Sequence, residues 1–247
     1  MDIAIGACKV SPRELRTSPA AEWGLSREVA MGASSAGAAT AEAGAVETAV
    51  PLRSREVRDV RLDGHFAGRS GRAMRPQIDA AELRLDDPGL DADLRLALDY
   101  WQQKQGGRLA PMRADIDPVE IASLLPRVML VDVSTDPIDF RFRLAGTGIF
   151  KIHGAELTNK RALDLEPPAY GALIHRLYCE ALTRRGPIAH RLLIECETRR
   201  SAYMRIILPL SEDGMEINRL MTVESYADAA QDLRDCLDEA RSSAGHS

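Results

Sequence analysis

Apolar residues recur at helical spacing in the first ordered part of this chain, after Asp87-Pro88. Aspartate is a favoured helix N-cap, and proline is well tolerated at the first helical position. The pattern therefore predicts a helix over residues 88–105, ended by Gly106-Gly107. Its apolar stripe consists of Leu90, Leu94, Ala97, Leu98 and Trp101. The same start signal at Asp117-Pro118 predicts a short helix through Leu125 that Pro126 stops.

After this stretch, apolar and polar residues alternate strictly along the chain. The runs "RVMLVDV" and "FRFRLAG", joined by the turn-rich "STDPID", predict a β-hairpin. Phe140, Phe142 and Leu144 are predicted to face a core, with Arg141 and Arg143 facing water. Gly146 is predicted to mark where the second strand leaves the sheet, and Thr147 to cap a short helix that ends at Gly154.

The second half of the chain is punctuated by proline and glycine. Pro167-Pro168 and Gly186-Pro187 bracket a long predicted helix. Three strand-like runs follow, namely "IAHRLLIEC", "SAYMRIILPL" and "MEINRLMTVESY". A final amphipathic pattern predicts a helix over residues 227–241. The order of elements predicts an α+β domain over residues 88–226 with five strands.

The first part of the chain has no such pattern. Residues 1–80 form an Ala-, Arg- and Gly-rich stretch without sustained apolar periodicity, which predicts a disordered tail. Residues 242–247 are predicted to be a disordered end. Apolar order begins only after Met74, so Met74 is an alternative natural start.

Charge and cysteine usage narrow the function classes. A net charge of −5 and a pI near 5.6 argue against a nucleic-acid-binding face. The four cysteines are scattered without C-x-x-C spacing, which argues against disulfides and thiolate metal sites. The small-residue stretch 29–50 contains glutamates and lacks large apolar side chains, so no membrane span is predicted. No secretory signal is apparent, and we expect a cytoplasmic protein.

No catalytic motif stands out. Gly146-Thr147-Gly148 follows a strand, as in a dinucleotide-binding loop, but Lys151 occupies the position of the third glycine. His175 and Cys179 stand four residues apart on the long helix and would face one metal or haem iron, if a third ligand joined them. A packed histidine beside a buried thiol is the favoured interpretation, and no metal is predicted. We expect a protein that is not an enzyme, with a small α+β enzyme as the weaker alternative.

Two stretches together resemble a known family. They are "YWQQKQGGRLAPMRADIDPVEIASLLPRVMLVDV" and "FRFRLAGTGIFKIHGAELTNKRALDL". From Asp91 to Tyr226 the chain is similar to bacterial stand-alone PAS-domain proteins. The resemblance implies a five-stranded antiparallel sheet with short helices and one longer helix on one face, flanked by terminal helices. The residues of this chain that match the family's motifs are implied to have structural roles and no catalytic ones. They are Trp101, Asp117, Pro118, Pro126, Gly146 and Thr147.

The resemblance implies a sensory or regulatory module acting in trans on a signalling pathway. Its expected partners are signalling proteins, two-component kinases among them, and the flanking helices are candidate homodimer surfaces. The alternative is a haem- or metabolite-binding sensor, with haem held by His175 as the less favoured form and the cofactor otherwise unidentified. Such a sensor would use a pocket between sheet and helices, lined by Phe142, Ile149, Phe150, His175, Tyr178, Ile194 and Ile206.

Overall fold

The computed structural model describes residues 76–226 and 230–244, which form an α+β domain. Its strands are β1 (Gln77–Leu83), β2 (Val128–Thr135), β3 (Ile138–Ala145), β4 (Ile188–Glu195), β5 (Arg200–Ser211) and β6 (Ile217–Ser225). Its α-helices are α1 (Ala92–Gln105), α2 (Thr147–His153), α3 (Pro168–Arg184) and α4 (Ala230–Ala244). Short 3-10 turns lie at Arg113–Asp115, Leu125–Arg127 and Ala162–Asp164. The predicted fold class and the five predicted strands are confirmed, and β1 is a sixth strand.

All neighbours in the sheet are antiparallel, in the order β1-β4-β5-β6-β2-β3. Strand β1 begins at Gln77, inside the range predicted as tail, and pairs along its whole length with β4. Its partly buried Ile78 and Ala80 pack against the core. The rest of the predicted tail, residues 1–75, lies outside the described residues, as do 227–229 and 245–247.

The first helix begins later than predicted. Asp91 is its N-cap, and the Asp91 carboxylate accepts a hydrogen bond from the Asp93 amide at 2.9 Å. Asp87 instead closes a turn, accepting from the Gly89 amide at 2.7 Å. The prediction of a start at Asp87-Pro88 was wrong because aspartate caps turns as readily as helices. The end at Gly106, which adopts a left-handed φ of 56°, is as predicted.

The predicted helix from Asp117 to Leu125 is absent from the described residues. Consecutive turns occupy this stretch, and the Asp117 carboxylate accepts from the Val119 amide at 2.9 Å. Pro126 does not stop a helix but lies within the 3-10 turn that leads into β2. Local hydrogen bonding by aspartate offers the backbone an alternative to a helix, which explains the difference.

A β-bulge corrects the predicted orientation of Leu144. The β2–β3 register shifts so that Leu130 pairs with Leu144, but Val131 pairs with Phe142. Arg143 is the extra residue, and it turns Leu144 to the opposite face from Phe142. Phe142 is fully buried, whereas Leu144 is 45% exposed.

The sheet separates two cores. On one side, called the α3 face, α2, α3 and α4 pack over the sheet; on the other, the α1 face, α1 covers it. Strand β5 serves both, because Tyr203 and Ile207 point to the α3 face and Ile206 and Leu208 to the α1 face. Among residues 76–226 and 230–244, no helix is both long and apolar enough to span a membrane.

The prediction for the stretch after β3 is correct in outline and wrong in one detail, the capping role of Thr147. Gly146 is the N-cap of α2 and Thr147 its first residue, with no side-chain cap. A Cβ added to Gly146 would lie 2.2 Å from the Leu125 carbonyl oxygen and 2.4 Å from that of Pro126. Glycine therefore allows the backbone to cross closely behind the 3-10 turn where the strand leaves the sheet.

Candidate functional site

The predicted pocket residues come together only in part. Phe142, Ile149, Tyr178 and Ile194 are fully buried on the α3 face, with His175 beside them. The Phe140 ring centroid lies 5.0 Å from that of His175 and 5.2 Å from that of Tyr178, and the Phe142 centroid lies 6.5 Å from that of Tyr178. These aromatic side chains therefore pack on one another in the core between sheet and helices.

Two of the predicted pocket residues lie elsewhere. Phe150 is 50% exposed on α2, because the helix turns its Ile149 and Ile152 positions inward. Ile206 is buried on the α1 face, since strand alternation places it opposite to Tyr203 and Ile207. Neither can line a pocket between the sheet and α3.

His175 and Cys179 are neighbours, as their spacing predicts. The Cys179 sulfur lies 3.7 Å from Nδ1 of His175. Burial lowers the pKa of His175, so the ring is neutral near pH 7. No group of three metal-ligating residues occurs within residues 76–226 and 230–244. The structure thus shows a His175–Cys179 contact, and the absence of a metal stays a prediction.

A buried ion pair lies in the α3-face core. Arg205 of β5 and Glu224 of β6 are direct cross-strand partners, and both are at most 1% exposed. The guanidinium donates two hydrogen bonds to Glu224 Oε1, one from Nε at 3.1 Å and one from Nη2. Strand alternation points both side chains inward, so the pair is shielded from bulk solvent.

Three tyrosines surround this pair. The Tyr170 and Tyr203 hydroxyls share a hydrogen bond of 2.7 Å, and Arg205 Nη2 lies 3.5 Å from the Tyr170 oxygen. The guanidinium carbon lies 5.9 Å from the ring centroids of both Tyr178 and Tyr203, within cation–π range. We call Arg205, Glu224, Tyr170, Tyr178 and Tyr203 the buried polar cluster.

Burial shifts the pKa values of groups in and beside this cluster. It alone would lower the pKa of Arg205, but Tyr203 and Glu224 outweigh it and raise that pKa further above its ordinary value. Burial also raises the pKa of Tyr170. His153, whose ring stacks at 5.7 Å from Tyr170, has its pKa lowered to about 3 by burial and by the charge of Arg205.

The cluster can hold polar groups, but it is sealed. Within the described residues, Arg205 Nη1, Glu224 Oε2 and His153 Nε2 have no hydrogen-bond partner. An unpartnered donor and an unpartnered acceptor within one buried cluster suit a water molecule or a small polar group. Sequence reasoning missed this cluster, although Arg205 stands between Tyr203 and Ile207 at a core-facing strand position, which was an available signal.

The α1 face carries a groove that sequence reasoning also missed. Its volume is about 440 Å³, within the usual range for a binding site. We call it the outer groove. Its floor is Val128, Leu130 and Met221, its wall is Ile116, Ile121 and Leu125, and Leu144 and Thr147 form its far edge. Leu125 and Leu144 are 37% and 45% exposed, so this apolar surface reaches solvent.

Four positions from the family resemblance line the outer groove, namely Pro118, Pro126, Gly146 and Thr147. The other two support its surroundings. Trp101 Nε1 donates to the Pro209 carbonyl at 2.6 Å and fixes α1 on the sheet, and the Asp117 carboxylate closes a turn. The motif thus builds the turns beside the groove as well as the hairpin exit.

The comparison with protein-family models agrees with this fold. A family model described as PAS_5, PAS domain, matches residues 91–223. No curated protein matches the chain. A solved structure described as "Structure of an RNA-binding Light-Oxygen-Voltage Receptor" is similar at 14% identity and a TM-score of 0.33. The match covers 68% of this chain and 43% of that one, so the chain spans less than half the length of that receptor.

Proposed function

The chain belongs to the PAS domain family, and from this premise we propose that it is a regulatory module that acts through contact with another protein. The observation that carries the proposal is the contrast between predicted pocket residues that are buried against one another and an apolar groove that is open to solvent. The predicted pocket residues Phe142, Tyr178 and His175 pack on one another through Phe140. The outer groove instead leaves Leu125 and Leu144 partly exposed in one apolar lining, a surface that suits contact with a partner.

The flanking helices are poor candidates for the contact surface. Helix α1 buries Leu94, Leu98 and Trp101 against its own sheet, and α4 buries Leu233 and Leu237 in the α3-face core. Their apolar stripes are therefore used within the domain. We do not propose a homodimer through these helices, and the partner is a signalling protein by analogy with the family, a two-component kinase being one candidate.

Catalysis is less well supported. The buried titratable groups in and beside the polar cluster, Arg205, Glu224 and His153, are at most 3% exposed. A catalytic acid or base must reach the substrate proton within hydrogen-bond distance. We therefore propose a non-enzymatic role.

A second candidate function rests on the buried polar cluster. The unpartnered Arg205 Nη1 and Glu224 Oε2 would match a small polar molecule with one acceptor and one donor. Binding there requires the packed core to open. Haem is not proposed, because the His175 ring is already in contact with Phe140 and Cys179.

Native mass spectrometry of the full chain, purified from its own host without denaturation, tests the proposal. We expect a complex with a second protein at a fixed ratio and no bound small molecule. A stoichiometric small-molecule adduct that the Arg205→Met variant loses would favour the second candidate. A chain that carries neither protein nor adduct would overturn the proposed function.

A further inference from the structure

The outer groove has the features of a preformed recognition site. The Gly146 amide donates to the Val128 carbonyl at 2.8 Å, and the Leu124 amide donates to that of Ile121 at 2.9 Å. The close crossing of Gly146 behind Leu125 and Pro126 leaves no room for this wall to move inward. A rigid wall lowers the entropic cost of binding.

The groove also carries positive charge. Arg113 is the one charged side chain in its lining within the described residues, and its guanidinium donates only to the Ile116 carbonyl, at 3.3 Å. Arg143, the exposed bulge residue beside Leu144, makes no ion pair with any residue in 76–226 or 230–244. In contrast, Arg127 pairs with Asp93 at 2.5 Å and Arg219 with Asp132 at 2.8 Å. Arg113 therefore belongs to the groove lining, whereas Arg143 precedes the edge residue Leu144 and is not itself in the lining.

Most acidic groups on the 113–120 stretch are already paired. Glu120 pairs with Lys104 at 2.6 Å and Asp115 with Arg108 at 2.5 Å, which leaves Asp117 without an ion pair among the described residues. An apolar groove with one free arginine in its lining and a second arginine next to its edge complements a segment that has large apolar side chains flanked by carboxylates.

We propose that the outer groove binds a short partner segment with at least two large apolar side chains and flanking Asp or Glu residues. This inference rests on the proposed function, since it names the surface and the partner chemistry for the same regulatory contact. The apolar side chains enter between Leu125 and Leu144, and the carboxylates pair with Arg113 and Arg143. The salt dependence of binding follows from these exposed pairs.

Selection of displayed random peptides on the full chain tests the partner chemistry. We expect enriched peptides to combine large apolar residues with flanking acids, and to lose affinity at least about tenfold on Leu144→Asp. The matched control is Leu96→Asp, because Leu96 is 46% exposed on α1 and is not among the groove-lining residues. Enrichment of basic peptides, or equal loss with both variants, would overturn the proposal.

The charge contribution is separated from the apolar one by Arg113→Glu combined with Arg143→Glu. We expect this pair to weaken the selected acidic peptides about tenfold at low salt and by less at high salt. Circular dichroism of each variant confirms that it is folded. Unchanged affinity at low salt would remove the acidic flank from the proposal.

Photocrosslinking in the host distinguishes the groove from other surfaces. A photoreactive residue at Leu144 is expected to capture a second protein, whereas one at exposed Arg176 on α3 is not. Capture of a second copy, or of residues 1–75 of the same chain, would overturn the groove proposal. Capture at Arg176 but not at Leu144 would refute the groove yet leave the proposed function intact. The absence of any protein product from both sites, with the complex also missing in native mass spectrometry, would refute both.

Discussion

The two faces of the sheet differ in an unusual way: one buries charged side chains, and the other exposes apolar ones. The closed α3 face encloses an ion pair, Arg205–Glu224, whereas the α1 face leaves an apolar groove open beside Leu144. Alternation along β5 points Arg205 to the α3 face, with Tyr203 and Ile207, and points Ile206 to the α1 face. Because buried charge and exposed apolar surface both cost stability, each indicates a requirement other than folding.

Breaking the ion pair should produce the largest effect. In Arg205→Met, the Glu224 carboxylate stays buried without its partner, so we expect a loss of about 3–5 kcal/mol in the free energy of unfolding. Urea denaturation of the full chain measures it. If the variant does not fold at all, limited proteolysis ranks it against the double variant.

The control for the ion pair is Arg205→Met combined with Glu224→Leu. Replacing both charges with apolar groups removes the unpaired carboxylate, so the double variant should be more stable than Arg205→Met alone. A double variant that is less stable than the single one would show that the pair itself, and not the unpaired charge, dominates.

The pH dependence of stability should also come from the α3 face. The pKa of His153 is about 3 in the folded protein and 6.5 ordinarily, so the unfolded chain binds the extra proton between these values. The contribution of His153 to the free energy of unfolding is therefore fully present above pH 6.5. Below that pH the free energy of unfolding falls by about 1.4 kcal/mol per pH unit, which amounts to roughly 2 kcal/mol at pH 5.

His153→Phe provides the comparison, because it keeps a ring against Tyr170 and removes the titration. Urea denaturation at pH 7 and pH 5 should show a smaller drop in the variant. His175 and His190, whose pKa values burial also lowers, contribute with the same sign in both proteins. Equal drops would assign the acid sensitivity to those residues.

On the α1 face, a single polar contact in an apolar core can be removed. Trp101→Phe deletes the 2.6 Å hydrogen bond to the Pro209 carbonyl and leaves a small void. We expect a loss of about 1–2 kcal/mol in the free energy of unfolding, measured by urea denaturation. Tyr203→Phe, which removes the hydrogen bond to Tyr170, is the matched deletion on the α3 face. A negligible loss for Trp101→Phe would show that α1 is held by apolar contact alone.

The sequence predicted the fold best where proline and glycine at the ends of an element agreed with the periodicity of its apolar residues. Pro167-Pro168 and the alternating hairpin fixed α3 and the strands β2 and β3 to within a few residues. Strand β1 was missed because "QIDAAEL" is short, acidic and weakly apolar, and its partner β4 lies about a hundred residues away. Asp87 and Asp117 were wrongly predicted to begin helices, because their carboxylates accept hydrogen bonds within turns. The local sequence pattern of such a turn is the same as that of a helix N-cap.

The candidate sites were less predictable than the fold. Phe142, Ile149 and Tyr178 share one core because strand and helix periodicities bring them to the same face, and their role in lining a ligand pocket stays a prediction. The outer groove depends on a turn conformation and on the bulge at Arg143, neither of which periodicity reveals. The Arg205–Glu224 pair depends on the β5–β6 register, which is a long-range property, although the inward position of each residue was readable.

The smallest expected effect tests the bulge that separates the two faces. Leu144→Ala should change the free energy of unfolding by less than about 0.5 kcal/mol, because the side chain is 45% exposed at the groove edge. Phe142→Ala, two residues earlier and fully buried, should cost about 3–5 kcal/mol. Uninterrupted alternation would put both side chains in one core and make both truncations costly. Urea denaturation of the two variants therefore decides whether the extra residue at Arg143 turns Leu144 outward, and with it whether the outer groove exists in solution.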